Sequence, residues 1–141
     1  MPTDDEINIR PATLGDVPEI QILIEPFVEQ KLILPRSGVE LESLIENGFA
    51  AEYRDRIVGF AAIEVYSKKL AELLCLAVSR DFHGRGIGRQ LIEWCVERAS
   101  EHQVYELMAI TSEDNFFESC GFHYTLPEQK RALFISTSPR H

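Results

Sequence analysis

Arg80-Asp81-Phe82-His83-Gly84-Arg85-Gly86-Ile87-Gly88-Arg89 lies between an apolar run, residues 70–78, and a segment whose apolar residues recur at helical spacing. Glycines at alternate positions 84, 86 and 88 let the backbone approach a ligand closely and turn successive N–H groups outward, the arrangement that cradles phosphate oxygens. A helix starting there adds its unpaired N–H groups and the positive end of its dipole. Arg80, Arg85 and Arg89 against Asp81 form a basic island at the helix end where cations are ordinarily unfavourable. A bound polyphosphate removes that conflict. A plain strand-to-helix turn with solvated arginines accounts for the same residues without a ligand.

Outward from this turn the chain reads as alternating strands and helices. Ile7-Asn8-Ile9-Arg10 alternates as a strand closed by Pro11-Ala12-Thr13. Asp16 is placed to cap a helix carrying Val17, Ile20, Ile24 and Phe27, with Pro26 bending or interrupting it. A second helical pattern, Val39, Leu41, Leu44 and Ile45, ends near Asn47-Gly48. Residues 49–53 and 57–65 read as an antiparallel hairpin across Arg54-Asp55-Arg56, and residues 70–78 as a third strand. Leu91, Ile92, Cys95, Val96 and Ala99 then stripe a helix over about residues 89–102. A strand over 105–110, a short helix over 115–119 and final strands over 122–124 and 131–136 complete the order β-α-α-β-β-β-α-β-α-β-β, an α/β fold with a sheet of mixed direction.

The 141 residues fit one domain, 1–141, and the 45% hydrophobic and 26% charged composition is that of a soluble globular protein. The acidic start and the short apolar runs predict no signal peptide and no membrane span, hence a cytoplasmic location. A net charge of −9 argues against a nucleic-acid surface. Three cysteines without a C-x-x-C pair read as reduced thiols, and the four histidines lack metal-ligand spacing, so no metal is expected.

Neither the Walker loop nor the dinucleotide fingerprint matches the spacing of the glycine turn. The turn resembles the R/Q-x-x-G-x-G/A acetyl-CoA motif of the GNAT superfamily, with His83-Gly84-Arg85-Gly86-Ile87-Gly88 in register and His83 in place of the usual Arg or Gln. The resemblance implies a mixed, mostly antiparallel sheet with helices on both faces, its strands splayed at the acetyl-CoA site. It implies pyrophosphate binding by N–H groups of His83, Gly84, Arg85, Gly86, Ile87, Gly88 and Arg89. The pantetheine arm then pairs with backbone along Leu76, Ala77 and Val78.

A closer resemblance is to the acetyltransferase domain of N-acetylglutamate synthase. It rests on Leu34-Pro35-Arg36-Ser37, on Ala71 through Val78, on Phe116-Phe117-Glu118-Ser119-Cys120-Gly121-Phe122 and on Leu126-Pro127-Glu128-Gln129-Lys130-Arg131, in order and spacing. Glu72, a carboxylate inside an apolar strand, is costly to bury unless paired, hydrated or used. Burial would raise its proton affinity towards that of a general base, and an amine acceptor, mostly ammonium in water, needs one, directly or through water. The bland alternative is a rim carboxylate paired with Lys68 or Lys69. The resemblance further implies direct attack of the amine on the acetyl carbonyl, with an N–H near Leu76 meeting the oxyanion. Cys75 becomes a pocket wall, and Arg36 forks onto an acceptor carboxylate.

Two positions depart from the family pattern. Phe117 stands where many members carry a tyrosine that reprotonates the CoA thiolate, leaving Ser112, Glu113 and Tyr124 as candidates for that role. The family's C-terminal tyrosine, asparagine and arginine are replaced by Phe134-Ile135-Ser136-Thr137-Ser138-Pro139-Arg140-His141. The leading expectation is an acetyl-CoA-dependent N-acetyltransferase for a small amine acceptor, an amino acid such as glutamate; by analogy with the superfamily, it would be a homodimer. Other readings are an acetyltransferase for polyamines, aminoglycosides or protein amines, and a catalytically silent acyl-CoA-binding module.

Overall fold

The computed structural model describes residues 6–111, 113–123 and 135. Five strands, β1 (Ile7–Pro11), β2 (Gly48–Tyr53), β3 (Arg56–Val65), β4 (Leu70–Val78) and β5 (Glu106–Met108), lie in sequential order in one sheet. β1 to β4 pair antiparallel, and β4–β5 is parallel. The mixed, mostly antiparallel sheet expected from the sequence is therefore present.

Helices cover both faces. On one, α1 (Val17–Glu29) and α2 (Gly38–Leu44) bring Ile20, Ile24, Leu41 and Leu44 onto Phe60, Ala62, Cys75 and Ala77. On the other, α3 (Ile87–Glu101) packs Leu91, Ile92 and Cys95 against Val58, Ala61, Ile63 and Leu73, with Phe117 of α4 (Asp114–Ser119) at the margin. Gly59 permits the close approach of α3, since a Cβ there would lie 3.1 Å from Leu91 Cδ1 and 3.3 Å from Ile87 Cγ2.

Three local expectations are corrected. Asp16 stands at the N-cap of α1 but its side chain makes no capping bond: its carboxylate accepts a forked pair from Arg10, Nη1 at 2.8 Å and Nη2 at 3.0 Å, and a bond from the Thr13 N–H at 2.7 Å. α1 runs through Pro26 to Glu29, because the proline falls in its last turn, where only the carbonyl of exposed Ile22 loses its donor. The β2–β3 connection is two residues, Arg54 and Asp55, both at positive φ as a tight hairpin turn requires, so Arg56 already belongs to β3. Of the final strands expected, Phe122 and His123 take no strand conformation. Positions 124, 131–134 and 136 lie outside the described residues, as do Ser112, Tyr124, Lys130, Ser138 and Arg140.

Candidate active site

The site is built around an irregularity in β4. Phe60 pairs with Ala77 and Ala62 with Leu74, so β4 takes three steps where β3 takes two. The extra residue is Cys75, at φ +59°. This bulge changes the phase of the strand. Leu74 and Cys75 both face the α1–α2 layer, whereas Leu73 before it and Leu76 and Val78 after it face the α3 layer. The left-handed residue also turns the Cys75–Leu76 peptide out of the regular ladder.

β5 pairs only with Leu70, Ala71 and Glu72. From Leu73 onward that edge of β4 has no strand partner among the described residues, so the sheet opens where the sequence places a splay. At the end of this open edge lies the glycine turn. Gly84 (φ +80°) and Gly86 (φ +78°) adopt left-handed conformations, and a Cβ at either would meet nothing within 4 Å. Backbone conformation rather than space therefore demands glycine there. Gly86 is the N-cap of α3, which starts two residues before the sequence reading placed it.

The turn sorts its residues. The N–H groups of Gly84 through Arg89 make no hydrogen bond among the described residues, as expected of an open anion cradle at a helix start. The His83 N–H instead donates to Arg80 O at 3.2 Å, and the His83 ring donates from Nε2 to Val78 O at 2.7 Å. The tautomer follows from the partner, because a carbonyl only accepts. Arg85 stacks on Phe82, its guanidinium carbon 5.0 Å from the ring centroid. Arg89 turns to Ser119, and Arg80 is exposed.

Glu72 is half-buried, and the Tyr66 hydroxyl donates to its Oε1 at 2.5 Å. No ion pair joins Glu72 to Lys68 or Lys69 among the described residues. The bond to Glu72, more than burial, pushes the Tyr66 phenol up to about 12. Arg36 precedes α2, whose first turn is fixed by a reciprocal capping box: Ser37 Oγ accepts from Glu40 N at 3.1 Å and Glu40 Oε1 from Ser37 N at 2.9 Å. The Arg36 guanidinium reaches the Cys75 thiol and acts electrostatically on Tyr66. Its Nε is buried without a hydrogen-bond partner among the described residues. An orphaned charged donor of this kind is costly and is relieved by an incoming acceptor.

Burial pushes the Cys75 thiol up, the Arg36 charge opposing it only in part. Cys75 is thus held as a thiol, in keeping with a wall residue rather than a nucleophile. The structure therefore gathers Arg36, Glu72, Cys75 and Leu76 around the bulge. Phe117 is buried among Phe116 and Phe122 rather than presented to the opening. Of the three candidate thiolate proton donors, Glu113 lies among the described residues, just before α4. Sequence reading missed Tyr66 and Glu64, the latter directly opposite Glu72 across β3 and β4. The available signal was the register of a hairpin closing through Tyr66-Ser67-Lys68-Lys69, which sets 64 against 72. Among the described residues no cluster of His, Cys, Asp and Glu could hold a metal ion, and no helix is long and apolar enough to cross a membrane.

Comparison with known proteins supplies an independent line. The acetyltransferase (GNAT) family profile matches residues 20–122. An uncharacterized N-acetyltransferase of Chlorobaculum tepidum is 34% identical over 122 residues, 86% of this chain and 78% of that protein. The amino-acid acetyltransferase of Actinobacillus pleuropneumoniae is 35% identical over 130 residues, 88% of this chain but only 30% of the relative's length. Among solved structures, N-acetylglutamate synthase from Neisseria gonorrhoeae, complexed with coenzyme A and N-acetyl-glutamate, superposes with a TM-score of 0.74 at 30% identity, covering 80% of this chain and 27% of that one.

Proposed function

The chain belongs to the acetyltransferase (GNAT) family, and from that premise we propose that it passes the acetyl group of acetyl-CoA to the amine of a small acceptor, an amino acid such as glutamate. The observation that carries this reading is the convergence of Arg36 and the Tyr66–Glu72 pair on the Cys75 bulge. The relatives named for amino-acid acetylation support the acceptor class.

Each group has a part. The free N–H groups of Gly84 to Arg89 and the dipole of α3 hold the pyrophosphate, and the edge at Leu76, Ala77 and Val78, without a strand partner among the described residues, takes the pantetheine arm as a strand would be taken. Arg36 forks onto the acceptor carboxylate. Glu72 removes the ammonium proton, itself or through one water, freeing the nitrogen lone pair to attack the acetyl carbonyl carbon. The Leu76 N–H meets the developing oxyanion as the C–N bond forms. The oxyanion then collapses to the amide carbonyl as the C–S bond breaks, and the proton lost from the acylated nitrogen balances the one taken up by the departing thiolate.

One observation favours a second reading. Glu64 and Glu72 face each other across the hairpin, a like-charge pair that a cationic acceptor would relieve. Release of CoA, followed by thiol detection with acetyl-CoA and a panel of amino acids, polyamines and peptides, separates the two. Release driven by glutamate or a close analogue, lost in Glu72→Gln with acetyl-CoA binding retained, supports the amino-acid reading. Release by cationic amines alone replaces the acceptor class. Tight acetyl-CoA binding with no turnover of any acceptor overturns the enzyme in favour of a silent binding module.

A further inference from the structure

We infer that Tyr66 is a positioning residue for this reaction, its phenol holding the Glu72 carboxylate in place beside the β4 bulge and opposite Glu64. The inference rests on the reading of Glu72 as proton acceptor, and it adds a residue that neither the glycine motif nor the early-loop pattern contains.

The geometry comes from the hairpin. Glu64 and Glu72 are directly opposed, so the two carboxylates repel each other. A donor to Glu72 counters that, because a hydrogen bond to the charged form favours it. The loop that carries the donor is held by its backbone: the Tyr66 and Ser67 N–H groups both bond to Leu70 O, at 3.0 and 3.2 Å, and Lys69 N donates to Ser67 Oγ at 3.0 Å. These bonds close the loop and set the phenol 2.5 Å from Glu72 Oε1.

The other charged groups around the pair are few. Arg36 approaches Tyr66 from the loop before α2, and Glu40 follows within α2. Lys68 and Lys69 sit exposed at the hairpin tip. On β5, Met108 stands opposite Glu72 and Glu106 opposite Leu70, so that side supplies no cation. Tyr66 is thus the direct donor to Glu72. A carboxylate pinned at one oxygen presents the other to an ammonium group or to a bridging water.

The test is direct titration of Glu72 in the full chain, by carbon-detected NMR of protein labelled at glutamate carboxyls and assigned by the resonance lost in Glu72→Gln. In Tyr66→Phe the Glu72 midpoint should rise by about one pH unit, a tenfold change in proton affinity. In Glu64→Gln it should fall. The acid limb of kcat/KM for the acceptor found by the CoA-release panel should move with the titration in Tyr66→Phe. An unmoved midpoint in Tyr66→Phe, in a protein whose Glu72→Gln variant is inactive, overturns the role of Tyr66 and leaves the base standing. Turnover that survives in Glu72→Gln overturns both.

Discussion

Arg89, in the first turn of α3, donates to the carbonyl oxygen of Ser119 at 3.0 Å and to its hydroxyl at 3.1 Å, thirty residues away at the end of α4. A side chain that reads as one third of an anion-binding island is therefore a strut between two helices. Arg89→Ala should loosen α4 at a cost of about 1 kcal/mol, measured by denaturant unfolding. It should raise the KM for acetyl-CoA only a few-fold, since the cradle is made of backbone N–H groups.

Gly86→Ala tests the cradle itself. The added methyl group meets no atom, so the penalty is that of holding an L-residue at φ +78°, roughly 1–2 kcal/mol. Acetyl-CoA affinity, read by calorimetric titration, should fall by more than it does in Arg89→Ala, because relaxation of this residue re-aims the N–H groups at the start of α3.

Arg36→Lys keeps the charge and loses the fork. For an amino-acid acceptor the KM should rise roughly tenfold or more with kcat changed far less, the pattern of lost ground-state binding. For a cationic acceptor the KM should be indifferent to the change.

The Arg10–Asp16 fork gives the fold a pH dependence of known sign. The hydrogen bonds from Arg10, ahead of every other influence, hold the Asp16 carboxyl below its ordinary value of 3.8. Stability from this pair is thus complete above the pKa of the unfolded carboxyl and is lost as pH falls through the lower folded value. Asp16→Asn should cost on the order of 1 kcal/mol at neutral pH, and its stability should converge on the parent's as pH falls through the lowered folded value of the Asp16 carboxyl.

Packing between α3 and β3 should be intolerant of added volume. Gly59→Ala places a methyl group 3.1 Å from Leu91 Cδ1 and 3.2 Å from the Ala51 Cβ, in a layer where Leu91 and Ala51 are wholly buried. About 1–3 kcal/mol should be lost, with a lower Tm in thermal unfolding.

Much of this architecture is legible in the chain because local signals and burial agree. β4 spans residues 70–78, as its apolar run predicts, and α2 begins where Ser37 and Glu40 write a capping box. α3 starts early because the glycine turn is itself the cap. The misreadings share a cause: the winning partner lies across a turn, on another element of the fold, rather than next in the chain. Asp16 prefers Arg10 on a neighbouring strand to the helix beside it, and Glu72 takes Tyr66 rather than the lysines next to the turn. Nothing in Leu74-Cys75-Leu76 signals a left-handed residue, since packing of β4 against β3 imposes it. The sequence singles out Arg36, Glu72, Cys75 and Leu76, whereas Tyr66, Glu64 and the bulge at Cys75 emerge only from the register of the folded hairpin.

The single extra residue in β4 gives that strand two parities. Up to Leu74, even positions look towards α1 and α2; beyond Cys75, odd positions do. Side chains beside the proposed acceptor and those beside the proposed pantetheine path therefore belong to separate faces of one continuous strand. Substitutions at Leu74 or Cys75 can reshape acceptor preference without disturbing Leu76 and Val78, so substrate choice in this fold can drift while the grip on the acyl donor is inherited intact.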